Sequence, residues 1–168
     1  MLGKEELLEL LEQQGVRFAC EHHEQVLNMA ESAELTLSLT GVRCKNLLLQ
    51  DKKGQHYLVV TTPEKSLDLV AAAEAFGSKR LSFASADRLA TVLGVRPGSL
   101  SPLALVNDSA GKVCLVIDED LSREPVFLLH PMDSTATVAL SKPDLEAFLR
   151  SIDHPPAWKV LRARTSAG

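Results

Sequence analysis

One stretch constrains the fold more than any other: residues 45–60, "KNLLLQDKKGQHYLVV". Leu47, Leu48 and Leu49 form one apolar run, and Tyr57, Leu58, Val59 and Val60 form a second. The polar segment "DKKGQ" separates them, and its glycine suits a reversal. Such a pattern predicts an antiparallel hairpin over 45–61. The head of the first run is unusual. A strand entering a core opens here on an ammonium beside an amide, Lys45 and Asn46.

The remaining elements follow from spacing and caps. "KEELLELLEQQG" repeats leucine at helical spacing and stops at Gly15, and "VRFACEHH" reads as a strand. "NMAESAELTLSL" reads as a short helix with Asn28 as N-cap and Glu31 three residues on. Two more helices are expected in "SLDLVAAAEAFG", capped by Ser66, and "SADRLATVLG", capped by Ser85, with a short strand "RLSFA" between them. Pro97, Gly98 and Pro102 deny regular structure to "VRPGSLSP". "LALVND" and "KVCLVID" around "SAG" read as a second hairpin, and "EPVFLLHP" and "TATVAL" as two more strands. "SKPDLEAFLRSI" is a closing helix with Ser141 as N-cap and Pro143 in its first turn. Irregular alternation with two hairpins predicts an α+β domain: a mixed, largely antiparallel sheet covered by helices. Residues 1–155 are expected to form that one domain. Residues 156–168 are expected as a C-terminal tail whose start docks through Trp158.

Composition narrows the class of function. The 168 residues carry a net charge of −4, which argues against a nucleic-acid coat protein but leaves room for a local basic surface. No apolar stretch nears the roughly 20 residues of a membrane helix. The acidic amphipathic N-terminus lacks the layout of a signal peptide, so a cytosolic protein is expected. Cys20, Cys44 and Cys114 stand apart without a C-x-x-C pair, which fits a reducing compartment and three small buried hydrophobes. Cys44 draws notice only because it adjoins Lys45.

The usual catalytic signatures are missing: no phosphate-binding G-x-x-x-x-G-K-[ST], no G-x-G-x-x-G, no H-E-x-x-H and no G-x-S-x-G. Three local features remain. Lys45 and Asn46 would point to opposite faces of their strand, one into a cleft; a lysine at a strand edge also simply discourages aggregation. "GSLSP", Gly98 to Pro102, can turn backbone N–H groups toward one point as an oxyanion or phosphate nest, or serve as a plain connection. His130 leaves the apolar strand "VFLLH" and is the best hydrogen-bonding or acid–base candidate among five histidines; a satisfied rim histidine is the alternative. His22 and His23 lie in a polar stretch, and His56 and His154 are expected to be exposed. No set of histidines and acids has metal-ligand spacing, so neither metal nor cofactor is expected.

Together and in order, "KNLLLQDKKGQHYLVV", "RLSFASADRLATVLGVRPGSLSPLALVND" and "HPMDSTATVAL" resemble the YbaK/prolyl-tRNA-synthetase-associated editing family, from about residue 15 to about residue 152. The likeness is to its free-standing branch, which hydrolyses Ala-tRNA(Pro). It places the family's functional lysine on Lys45, its companion asparagine on Asn46, its G-x-x-x-P loop on Gly98 and Pro102, and its histidine on His130. It implies ester hydrolysis without metal or covalent nucleophile, assisted by the substrate's own ribose hydroxyl. Ser99 would add a backbone N–H for the ester oxygen or the water. Val26, Leu27, Met29 and Met132 are candidate walls of the aminoacyl pocket, and Arg80 a candidate RNA contact. The implied partner is the acceptor end of aminoacyl-tRNA(Pro), with prolyl-tRNA synthetase as a further one. Alternatives are a deacylase for a serine, threonine or cysteine ester, a non-catalytic tRNA- or synthetase-binding module of the same fold, and an unrelated small-molecule hydrolase.

Overall fold

The structure, a computed structural model, describes residues 1–24 and 39–165 of the 168-residue chain. Val26, Leu27 and Met29, and the helix expected at "NMAESAELTLSL", lie outside the described residues.

The expected hairpin is the centre of the molecule. Strands β3 (Lys45–Gln50) and β4 (His56–Thr61) pair antiparallel, from Lys45↔Thr61 to Gln50↔His56. Their turn is closed by Asp51, whose Oδ1 accepts from the Lys53 and Gln55 N–H groups at 2.9 Å each. Gly54 supplies the left-handed residue there, at φ 89°.

Around it, strands β1 (Ala19–His22), β2 (Val42–Arg43), β5 (Ser82–Phe83), β6 (Val113–Asp118), β7 (Val126–Leu129), β8 (Ala136–Ser141) and β9 (Ala157–Lys159) build two sheets. One has the order β1-β8-β7-β2 and the other β5-β3-β4-β6-β9. The fold is mixed α+β, as expected. Local pairs are antiparallel, whereas β2–β7, β4–β6 and β6–β9 are parallel. The chain steps from the first sheet to the second at Cys44, between β2 and β3.

Helices α1 (Lys4–Gln13), α2 (Leu69–Phe76), α3 (Ala86–Leu93) and α4 (Lys142–Ser151) cover these sheets. The caps of α3 and α4 match expectation: Ser85 Oγ accepts from Arg88 N–H, and Ser141 Oγ from Asp144 N–H. Two expectations fail. Ser66 does not cap α2; Asp68 does, its side chain accepting from Ala71 N–H. Ser66 and Leu67 are instead engaged by the C-terminal segment, through Arg164 N–H to the Ser66 carbonyl (2.6 Å) and a bridge between Leu67 and Ala163. "LALVND" is also no strand. Pro102–Asn107 forms a 3₁₀ helix whose first turn is held by Ser101 Oγ. Proline brings no N–H to a ladder but suits a helical first turn, so β6 finds its partners in β4 and β9.

Side chains of the central strands serve two cores. Leu48, Leu58 and Val60 enter the larger one with Leu7, Leu103, Phe127 and Phe148. Leu49, Tyr57 and Val59 enter a smaller one with Leu67, Ala72, Ala73 and Leu161. Even positions of β3 therefore face the large core and odd positions the small one. β9 belongs to the second sheet, so the polypeptide beyond Pro155 is packed through residue 159 rather than loose.

Candidate active site

Lys45 and Asn46 open β3 and are both half-buried. β5 pairs with Leu49 and Gln50, and among the described residues no strand lies beside residues 45 and 46 on that edge. Alternation sends the two side chains apart. Lys45 goes to the small-core face, where its Nζ donates to the Lys65 carbonyl. Burial lowers its pKa from the ordinary 10.5, with the Glu64 carboxylate pulling the other way. Asn46 goes to the large-core face. Its Oδ1 is buried without any hydrogen-bond partner among the described residues. A buried, unpaired acceptor costs about 1–3 kcal/mol, so it calls for an explanation.

The loop and the histidine are joined directly. Ser101, fully buried, donates from Oγ to the His130 carbonyl at 2.8 Å while capping the 3₁₀ helix. His130 Nδ1 lies 2.8 Å from the Ala136 carbonyl. A carbonyl only accepts, so Nδ1 carries the proton and the neutral ring offers Nε2 as an acceptor. Burial lowers the His130 pKa below the ordinary 6.5, and the neighbouring His23 adds to that; the Ala136 hydrogen bond and Asp133 oppose it. The His23 ring stands 6.0 Å from that of His130 and is itself anchored to Thr137 Oγ1 at 2.8 Å.

Backbone register relates the two halves. β2 runs parallel to β7 with Val42↔Phe127 and Arg43↔Leu128. Lys45 and His130 each lie two residues beyond the last pair, past the same end. Ser101 thus ties the Gly98–Pro102 loop to His130, and the register puts Lys45 past the same end of the β2–β7 pair as His130. Among the described residues no hydrogen bond links Lys45 or Asn46 to His130 directly.

Several site expectations need correction. Ser99 cannot offer its N–H to an oxyanion, because it donates to the Arg96 carbonyl at 3.0 Å. Arg96-Pro97-Gly98-Ser99 is a tight turn with Gly98 at φ 89°, the arrangement that proline second and glycine third favour. Arg80, exposed and itself at φ 52°, precedes β5 and so sits at the Gln50 end of β3, roughly 17 Å of strand from Lys45. His56 and His154 are buried, at 9% and 4% exposure, instead of exposed. His154 packs on Asp108, Nε2 to Oδ2 at 2.8 Å. Cys114 is exposed, contrary to expectation, while Cys20 and Cys44 are half-buried. Burial, and secondarily Glu124, pushes the Cys44 thiol up to about 12, so it is no thiolate nucleophile at neutral pH.

Met132 does stand by His130, half-buried against the large core, with a left-handed backbone at φ 68°. The turn is held by Asp133 Oδ1, which accepts from the N–H and Oγ of Thr135 at 2.8 and 2.7 Å. A bulky residue at positive φ is strained, and such strain gathers at functional turns. Sequence reasoning missed Lys65, Ser101 and His23. Only Ser101 had a signal, the N-cap pattern Ser-Pro. A cavity of about 990 Å³ lies at the far end of the hairpin, lined by His56, Arg88, Asp108 and Lys112, and no predicted site residue lines it.

The family model described as aminoacyl-tRNA editing domain matches residues 23–148. The chain is 34% identical over 152 residues to the prolyl-tRNA editing protein ProX of Acetoanaerobium sticklandii, covering 90% of this chain and 93% of that one. It is 32% identical over 155 residues to prolyl-tRNA synthetase associated domain-containing protein 1 of Danio rerio, covering 91% and 84%. A solved structure described as a candidate trans-editing enzyme for prolyl tRNA synthetase shares the fold, with TM-score 0.68 and 18% identity over 98% of this chain and 99% of that one.

Proposed function

The chain belongs to the aminoacyl-tRNA editing domain family, and from that premise we propose that it is a trans-editing deacylase hydrolysing the ester of Ala-tRNA(Pro). Water adds to the ester carbonyl, the bond to the ribose oxygen breaks, and that oxygen takes the proton, releasing alanine and free tRNA. The ester is already activated, so the protein needs chiefly positioning and stabilisation of the developing oxyanion.

The observation that carries this reading is the Asn46 Oδ1, buried at the start of β3 without a hydrogen-bond partner among the described residues. A hydroxyl of the terminal ribose or the α-ammonium of the alanyl group supplies the donor it lacks. Lys45, the preceding residue on the opposite face of the strand, neutralises a terminal phosphate or anchors the adenosine. His130, neutral with its proton on Nδ1, accepts from a ribose hydroxyl or the attacking water through Nε2. With the Ser99 N–H engaged in its turn, the oxyanion is assigned to the Gly98 N–H. Pro102 and Ser101 hold that loop against His130.

Selectivity has a physical basis. A synthetase pocket for proline rejects the smaller alanine weakly, since missing methylenes are worth only about 1–3 kcal/mol. A second site must therefore admit alanine and exclude proline by size, and Met132 is its described wall. The substrate is the acceptor end of the tRNA; prolyl-tRNA synthetase is a fitting partner because it makes the error.

Purified protein assayed against alanyl-, seryl-, cysteinyl- and prolyl-charged tRNA(Pro) tests this. The alanyl ester should be cleaved fastest and the prolyl ester least. No ester cleaved faster than it decays spontaneously, or protection of the ester at stoichiometric protein, would reveal a binding module instead.

A further inference from the structure

The loop after β4 contains a lysine that no motif singles out. Lys65 Nζ lies 2.7 Å from Asp118 Oδ2, 2.9 Å from Asp120 Oδ2 and 2.8 Å from the Leu161 carbonyl. An ammonium has three donors, and these three acceptors use them all. Lys65 therefore has no hydrogen to spare for a ligand. Burial works against its charge, yet Asp118 and Asp120 outweigh that and hold its pKa above the ordinary 10.5.

Everything around Lys65 leads to Lys45. The Lys65 carbonyl is the acceptor for Lys45 Nζ. Asp118, with no exposed side-chain surface, also accepts from Thr61 Oγ1 at 2.6 Å, and Thr61 is the residue paired with Lys45 across the ladder. The C-terminal segment brackets the same turn. Asp118 registers with Lys159 in the β6–β9 pair, Leu161 supplies its carbonyl to Lys65, and Asp68 N–H donates to the Arg162 carbonyl at 2.9 Å.

We propose that Lys65 is a positioning residue for Lys45, locked by Asp118 and by the C-terminal segment 157–165, so that this segment, which lies beyond the matched editing domain, completes the active site. A buried ion pair adds little stability over an apolar pair of the same shape. What it does supply is a fixed location. Here that location is the carbonyl on which the Lys45 ammonium rests. The inference depends on the role given to Lys45 above, and the test separates the two.

Single-turnover hydrolysis of Ala-tRNA(Pro) is measured with Lys65→Met, Lys65→Arg and Lys45→Ala, each checked for folding by circular dichroism. Lys65→Met should slow the reaction about 10- to 100-fold, the usual cost of losing a group that orients a functional side chain. Lys65→Arg, whose guanidinium still reaches Asp118 and Asp120, should recover most of the rate. The ¹⁵Nζ resonance of Lys45 should shift in the Met variant and return in the Arg variant. A wild-type rate in Lys65→Met with Lys45→Ala inactive overturns this inference alone. A wild-type rate in Lys45→Ala overturns the functional reading beneath it. If Lys65→Met does not fold, the isosteric Asp118→Asn takes its place, with the same slowing expected and an unchanged rate again overturning the proposal.

Discussion

Replacing Asn46 by leucine should make the free protein more stable and the enzyme worse. Asn46 Oδ1 is buried and unpaired among the described residues, which costs about 1–3 kcal/mol. Leucine is close in size, lies on the strand face that already carries Leu48, and brings no polar atom. Because the residue as a whole is only half-buried, the lower end applies: a gain of about 1 kcal/mol. For a domain of this length that raises the melting temperature by about 2–4 °C. The same change removes the acceptor that the substrate's donor is meant to meet. A hydrogen bond to a charged or well-placed donor is worth about 1.5–3 kcal/mol, which is roughly a 10- to 100-fold loss in single-turnover rate. Thermal and urea unfolding read the first effect, and hydrolysis of Ala-tRNA(Pro) reads the second. A variant that is destabilised yet fully active would refute the reasoning. The atom would then be neither orphaned nor a substrate contact.

Two further outcomes follow from the buried titratable groups. The pKa values of His130 and His56 are lowered from 6.5 chiefly by burial, so the unfolded chain binds protons first as the solution is acidified. Stability should therefore hold above pH 6.5 and fall as pH drops from there through the folded values; urea midpoints at pH 7.5 and 5.5 check this, and His130→Gln should flatten the difference. Cys44, with its thiol near 12, should resist iodoacetamide at pH 8 while exposed Cys114 is modified, as mass spectrometry of the alkylated peptides would report, and Cys44→Ala should leave hydrolysis unchanged.

The residues that were legible are those whose signals are local. The β3–β4 ladder needed only two apolar runs and a turn residue. Ser85 and Gly94 mark the limits of α3 because a hydroxyl before the first turn and a left-handed residue after the last satisfy the helix's own end groups. Misreadings came where a distant segment competed. Ser66 had the chemistry of a cap, but its carbonyl was claimed by Arg164. His56 and His154 look like surface histidines by their neighbours in sequence, yet β4 is central and His154 finds a buried carboxylate 46 residues away. Of the proposed site, Lys45, Asn46, Gly98 and His130 were singled out in the sequence. Its support through Lys65 and Asp118 was not, because nothing near "PEKS" announces a partner in β6.

From its amino-acid order alone, this chain specifies the four α-helices α1 to α4, its central hairpin, its α+β class and the few polar residues that break an apolar pattern. These depend on neighbours within a turn or a ladder, where backbone geometry leaves few options. Folding in three dimensions decides the parallel pairings of β2, β4, β6 and β9, the opposite faces taken by Lys45 and Asn46, and which N–H groups are already spent. Those features arise only when segments far apart in sequence meet, because burial and hydrogen-bond saturation belong to the assembled core and not to any single stretch of it.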